Sequence, residues 1–572
     1  MNGLRLQAAA RLLARRSASK LDKPRRLFQA FSTYGYADAG SEVPVARSNL
    51  NKKSSVEVQL EEAIMRQDDE LAPSGVLLAL IQGVGTVSGL RDASLNSMVH
   101  ILDEEGRVVG KGVVLHLQKK RAMVAIVGDA SQLALGMDVE LVENDLTIPV
   151  GDDLIGRVVD PLGKPMDGQA ELPETVPRQQ CMRAAIPSMM DRGLLKNPWQ
   201  TGIQVIDCLH PLAYGQRFAL LGPRGSGKTR LALDILAQQV LKFKDTPELM
   251  PRFVYVATGK PPARVAQIVQ LMKDLKILPY CTVVAADDRQ PLILQYLAPF
   301  AGCTLAESWL KNGTTKNAFV VYDDLSAHTM VVEQLIQSIK LPKAARMSFS
   351  GHTNLMERST QFSEKRGGSS LSSIVLADTP GKEDVPSEFQ EALISIVDDH
   401  VLLDSSLTQR RVYPPIDCLA PGSSVRGPPF QRAALWKCMQ HIRATIIEGH
   451  TVHENVTLAK GFGFETEPED QEVLDARQLV EEFFVQRPFQ PVSEDSILLG
   501  AFILANHNLL TRLPQKVFIW DVIKQVEAAM PEELKTQLAE HPRNEMWSEA
   551  LTNQVHAVVS SEIRRGFSSK RR

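Results

Sequence analysis

One octapeptide constrains this chain more than any other stretch: Gly222-Pro223-Arg224-Gly225-Ser226-Gly227-Lys228-Thr229 fits GxxxxGK[ST] without a gap. Arg217 to Leu221 reads as a strand entering it, and Leu231, Ala232, Ile235, Leu236 and Val240 recur at helical spacing after it. Strand, glycine-rich turn and helix in that order make a cradle for phosphate. Glycines are required because backbone amides must turn inward around phosphate oxygens, where a Cβ would collide with the ligand or with the turn. In that reading Lys228 neutralises the β and γ phosphates and Thr229 offers its hydroxyl to Mg²⁺. The helix N-terminus adds a favourable dipole. Farther on, Ala318 to Asp324 is an apolar strand ending in two acids, the arrangement that carries a second Mg²⁺ anchor in such folds, and Asp323 is the expected anchor.

The rest of the chain divides around this loop. At 572 residues it is too long for one hydrophobic core and calls for roughly three or four domains. Residues 33–72 are polar and mixed in charge, and Val58, Leu60, Ala63 and Ile64 predict a short helix in an N-terminal arm. Within 73–148, short apolar runs at Val76–Gln82, Met98–Leu102, Gly112–Leu117 and Ala122–Val127, separated by polar turns, predict a β-barrel. Across 149–432, strand-like runs alternate with helical ones, which predicts a doubly wound α/β domain around the phosphate loop. From 433 to 572 the periodic stretches Ala434–Ile447, Gln471–Phe484 and Ser496–Leu509 predict a helical C-terminal domain and tail.

Charge and composition exclude several classes. A formal net charge of −3 argues against a general nucleic-acid binder. The six cysteines show no CxxC spacing, so neither a zinc knuckle nor a disulfide framework is implied. No apolar run reaches the roughly 18–20 residues that span a bilayer; Ile497–Ala505 is too short and is interrupted by Gly500. Membrane contact is therefore expected only through partners. Residues 1–32 carry Arg5, Arg11, Arg15, Arg16, Lys20, Lys23, Arg25 and Arg26 against the single acid Asp22, a composition that fits a mitochondrial presequence. A solvated basic arm is the alternative.

Several segments resemble the alpha and beta subunits of rotary ATPases, over roughly residues 75–510. Asp153 to Gly163 looks like the entry to their nucleotide domain, and Thr201 to Asp207 like the segment before their phosphate loop. Gln295 to Cys303, Tyr322 to Ser326 and Tyr255 to Lys260 resemble alpha rather than beta. In beta, the residue after the glycine of that last segment is a glutamate that polarises the attacking water. Here it is Lys260, a cation that cannot accept water's proton.

The resemblance implies a RecA-like central domain with ATP or ADP and Mg²⁺ held by Arg224, Gly225, Ser226, Gly227, Lys228, Thr229 and Arg230, and with Thr229 and Asp323 on the metal. It also implies a non-catalytic, regulatory alpha subunit of a mitochondrial F-type ATP synthase, on the matrix side of the inner membrane. The implied partners are beta subunits in a ring of three alpha and three beta chains, a central-stalk gamma subunit, and peripheral-stalk subunits at the N-terminal arm. Arg426, after Pro414-Pro415-Ile416-Asp417, fits the family's arginine finger if two residues have been inserted; an Arg that merely anchors a Gly/Pro-rich loop is the other reading. Gln486-Arg487-Pro488-Phe489 resembles the adenine-facing loop of alpha subunits, which implies that Gln486 contacts the purine, although the family's second glutamine is Pro488 here; an exposed loop glutamine with no ligand is the other reading. The family usually has Asp and Gln where this chain has Pro223 and Gly225. Those departures keep open a scaffold that holds an alpha position without nucleotide. A self-sufficient export ATPase or hexameric helicase on the same core is the other alternative, against which Lys260 counts.

Overall fold

A computed structural model describes residues 74–568, except 91, 119, 129, 183–184, 340–350, 380–387, 420–424, 426, 463–464, 507–508 and 510–517. The expected presequence (1–32), the N-terminal arm with its short helix (33–72) and the expected finger, Arg426, lie outside the described residues. The chain forms two compact units. The barrel, up to Thr147, belongs to one, together with Gln290–Leu294 and a stretch beginning at Glu333; the other holds the central and C-terminal parts of the fold.

The first unit is built on strands β1 (Ser74–Ile81), β2 (Val84–Ser88), β3 (Ser97–Leu102), β4 (Val108–Gln118), β5 (Arg121–Val127) and β6 (Asp138–Asp145). They close into an antiparallel barrel in the order β1-β2-β5-β4-β3-β6. Alternate residues point inward, so that Leu77, Val87, Val99, Ile101, Val114, Val124, Ile126 and Val139 fill the interior. Closure leaves no unpaired strand edge, which removes the usual template for aggregation.

The second unit is organised by a parallel sheet with the order Asp399–Leu402, Arg217–Gly222, Ser370–Asp378, Asn317–Asp323, Arg252–Lys260, Cys281–Asp287, Val158–Val159. Thr360–Gln361 adds an antiparallel strand against Ser370–Asp378. Cys281–Asp287 is buried along its whole length, and Arg252–Lys260 over most of it. Continuous apolar runs of this kind suit strands covered on both faces. The core is aromatic: Phe319 packs 4.9 Å from Trp199 and 5.8 Å from Phe253, centroid to centroid.

Beyond the sheet the chain is helical. Ala433–Gly461, 29 residues and therefore about 43 Å long, packs against Pro468–Phe483 and Glu494–Ala505. Gly500 makes a close approach possible, since a Cβ there would lie 2.3 Å from Phe483 Cε2 and 2.7 Å from Ile523 Cδ1. The tail adds helices Ile519–Ala529, Glu532–Glu540 and Glu549–Ser568, with Ile519, Val522, Ile523, Leu534, Val555 and Val559 buried in the same core. Among the described residues no helix is long and apolar enough to cross a membrane.

Candidate phosphate-binding site

In an open parallel sheet, ligands gather beyond the carboxyl ends of the strands. Three neighbouring strands end there in Gly222, Asp378 and Asp323, and a fourth in Lys260. Gly222 and Asp378 are direct partners in the ladder, and Asp323 is partnered by Ala257.

The loop leaves the sheet at Gly222, and the helix Lys228–Lys242 starts at its far end. Gly227 caps that helix with φ at +97°, a left-handed conformation that a side chain would strain. Lys228 is folded back over the loop and is 8% exposed; its Nζ lies 2.6 Å from Gly222 O, 2.9 Å from Pro223 O and 2.9 Å from Asp378 Oδ1. Arg224, largely exposed, donates from Nε to Asp378 Oδ2 at 2.8 Å. Burial pushes the Asp378 carboxyl up, but the contacts from Arg224 and Lys228 outweigh it and hold the group below the usual carboxylate range. One carboxylate thus rests on two of the cations expected to meet phosphate. The Ser226 hydroxyl is buried in the same loop with no protein partner.

Thr229 and Asp323 do come together, with Thr229 Oγ1 donating to Asp323 Oδ2 at 3.1 Å. The same oxygen accepts the hydroxyl of Tyr255, a fully buried residue of the neighbouring strand. Burial, and then the Asp323 charge, push the Tyr255 hydroxyl far above its ordinary range, so it stays a donor. The other oxygen, Asp323 Oδ1, faces Lys260 Nζ at 2.9 Å, and Asp323 is only 2% exposed. Burial also raises the carboxyl of Asp324, while Asp324 Oδ1 accepts Ala327 N at 2.6 Å at the start of the next helix. The expected Mg²⁺ pair therefore carries a resident cation. A dication on Asp323 would share a buried carboxylate with an ammonium, so the donor set as it stands does not fit Mg²⁺.

On the far side of the loop, Arg230 places its guanidinium 5.6 Å from the Tyr413 ring centroid and 5.7 Å from that of Phe489. Asp234 on the loop-following helix anchors both residues, its Oδ2 accepting the Tyr413 hydroxyl at 2.6 Å and the Phe489 backbone amide at 3.0 Å. Gln486, expected to face a purine, is buried and its amide is committed to backbone. Nε2 donates to Gly202 O at 2.9 Å and Gln490 O at 2.7 Å, and Oε1 accepts Gln204 N at 3.0 Å. The structure thus makes Gln486 a tie between the helical domain and the segment Gly202–Gln204. That segment is shaped by Asp207, which accepts Thr201 N and Thr201 Oγ1 at 2.8 Å and Gly202 N at 3.0 Å. Burial raises the Asp207 carboxyl to about 6 against those hydrogen bonds.

Arg224, Gly225, Ser226, Gly227, Lys228, Thr229, Arg230 and Asp323 converge around one loop, whereas Gln486 is turned to a structural use. Sequence reasoning passed over Asp378, Tyr255, Tyr413 and Phe489. Asp378 had a signal of its own, since Ser370–Asp378 is a second apolar strand ending in an acid. Tyr255 had none, because its partner lies on another strand.

Residues 202–423 match a profile described as the nucleotide-binding domain of the ATP synthase alpha/beta family. The chain is 30% identical over 464 residues to the ATP synthase subunit alpha of Orientia tsutsugamushi strain Boryong, covering 79% of this chain and 87% of that protein. The protein of the same name from strain Ikeda is 28% identical over 501 residues, covering 86% and 93% respectively. These relatives overturn the expected location: they come from a bacterium, and they support neither a mitochondrial transit peptide nor the matrix face of a mitochondrial inner membrane.

Proposed function

The chain belongs to the alpha-subunit family of F-type ATP synthases, and on that premise we propose that it is the non-catalytic, regulatory nucleotide-binding subunit of a proton-translocating ATP synthase. Three copies alternate with three beta subunits, around a central-stalk gamma subunit, with peripheral-stalk subunits at the N-terminal arm. Membrane contact runs only through the proton-translocating sector, and no nucleic acid is involved.

The observation that carries the non-catalytic assignment is the Lys260 to Asp323 contact of 2.9 Å. An ammonium at the end of that strand cannot take a proton from water, and it holds the nearest acid as an ion pair. The loop amides and Lys228 receive the phosphates of ADP or ATP, displacing Asp378. Arg230, Tyr413 and Phe489 form an aromatic and cationic wall beside the loop. Arg426 is the guanidinium offered to the neighbouring catalytic site, where such a finger is worth about a thousandfold or more in rate.

Nucleotide released from the purified, denatured complex and counted per subunit tests this reading. Six nucleotides per three alpha and three beta chains support it; an empty alpha site favours the scaffold. Hydrolysis by the isolated chain, abolished by Lys228→Ala, would refute the non-catalytic role.

A further inference from the structure

The geometry points to a nucleotide site that takes uncomplexed ADP or ATP, with the Lys260 ammonium serving in place of a divalent cation. This rests on the nucleotide-binding reading above and adds to it which form of the nucleotide is bound.

Asp323 has three donors already seated: Lys260 Nζ on Oδ1, and Thr229 Oγ1 and the Tyr255 hydroxyl on Oδ2. A carboxylate offers about four lone-pair positions, so little of its coordinating capacity is left. The pair is sheltered, with Asp323 2% and Lys260 17% exposed at the side chain. The backbone supports the placement. Arg252–Lys260 breaks register with its neighbour between Thr258 and Lys260, where Gly259 has φ at +63°, and this brings Lys260 opposite Asp287. Asp324 adds a second carboxyl to the electrostatic surroundings of the ammonium.

A metal bound on Asp323 would have to evict a buried, charge-paired lysine or sit against it as a like charge. An uncomplexed polyphosphate meets neither obstacle. Its oxygens meet Lys228 and Arg224, now balanced by Asp378, and Lys260, now balanced by Asp323. Exchange of Asp378 for phosphate on Lys228 and Arg224 leaves the Lys260–Asp323 pair intact. Selectivity then runs opposite to that of a site built on a bare aspartate: chelation of the nucleotide by Mg²⁺ lowers the anionic charge that three ammonium and guanidinium groups recognise.

Isothermal titration of the full chain with ADP, in EDTA and separately in excess Mg²⁺, tests this. The wild-type chain is expected to bind in EDTA at least as tightly as in Mg²⁺. Lys260→Gln should weaken binding in EDTA tenfold or more and make binding depend on Mg²⁺, while Lys260→Arg should keep metal-free binding. A wild-type affinity that falls tenfold or more in EDTA overturns the inference and leaves the nucleotide-binding reading standing, as does a Lys260→Gln chain that binds in EDTA as well as wild type. Absence of ADP binding in both media overturns the nucleotide-binding reading itself, and the inference with it. The wild-type comparison decides even if a variant fails to fold.

Discussion

Asp378 holds the phosphate-loop lysine: its Oδ1 lies 2.9 Å from Lys228 Nζ, while its Oδ2 accepts Arg224 Nε at 2.8 Å. In the function proposed above, the carboxylate stands where an incoming phosphate would find its counter-charges, so binding would be an exchange of anions. Asp378→Asn removes the competing charge and should tighten ADP binding by about three- to tenfold, an effect of roughly 1 kcal/mol. Titration calorimetry on the full chain reads it directly, and a weaker affinity would show that Asp378 positions Lys228 for phosphate instead of competing with it.

Gly227 sits at φ +97° at the first turn of the helix that follows the loop. Gly227→Ala should cost about 1–2 kcal/mol in that left-handed conformation. It should also weaken nucleotide binding by more than tenfold, because the amides of the loop would turn away from phosphate. Melting temperature and ADP affinity, measured together, separate the two effects; a variant with unchanged affinity would remove the loop from the binding site.

Gly500 lets three helices of the C-terminal domain meet. The added methyl of Gly500→Ala would lie 2.3 Å from Phe483 Cε2, and overpacking of this kind costs about 1–3 kcal/mol. Phe483 is stacked on Trp520, at 5.6 Å and 16°, so the disturbance should appear in tryptophan fluorescence as well as in the denaturation midpoint. Unchanged midpoint and fluorescence would mean that the helices shift apart at no cost.

Asp207 gives the stability a pH dependence. Its carboxyl is raised by burial from the ordinary 3.8 to about 6 in the folded chain, so between those values the folded state binds more protons than the unfolded state. Its contribution is therefore fully present below about pH 4 and is lost as pH rises through about 6, on the order of 3 kcal/mol in all. Urea denaturation at pH 4.5 and 6.5 should show Asp207→Asn losing less stability than wild type over that interval. Equal losses would place the titration elsewhere.

The loop was legible because its chemistry is local: one octapeptide between one strand and one helix contains its own glycines, lysine and threonine. Asp323 was legible for the same reason, as the end of an apolar run. What surrounds Asp323 was not, because Tyr255 and Lys260 reach it from a different strand and only the parallel register of Ala257 with Asp323 sets them side by side. The barrel shows a similar division. β1, β3, β4 and β5 stand out as apolar runs, whereas β2 is five residues long and contains Gly85, and β6 alternates Asp138 and Glu140 with Val139 and Leu141, which dilutes its apolar signal. The tail after Lys516 offered little family resemblance, yet Ile519, Val522, Ile523 and Val526 follow helical spacing and bury one face. The ties of Gln486 were not legible, because a loop glutamine gives no sign of which backbone groups fold back onto it.

The ties made by Gln486 and Phe489 have a mechanical consequence. One loop of the helical domain grips Gly202 and Gln204 through Gln486, and Asp234 of the loop-following helix through the Phe489 amide. That helix begins at Lys228, so two hydrogen-bonded ties join the helical domain to the segment before the phosphate loop and to the helix after it, and cutting either one should loosen both ends of the loop at once.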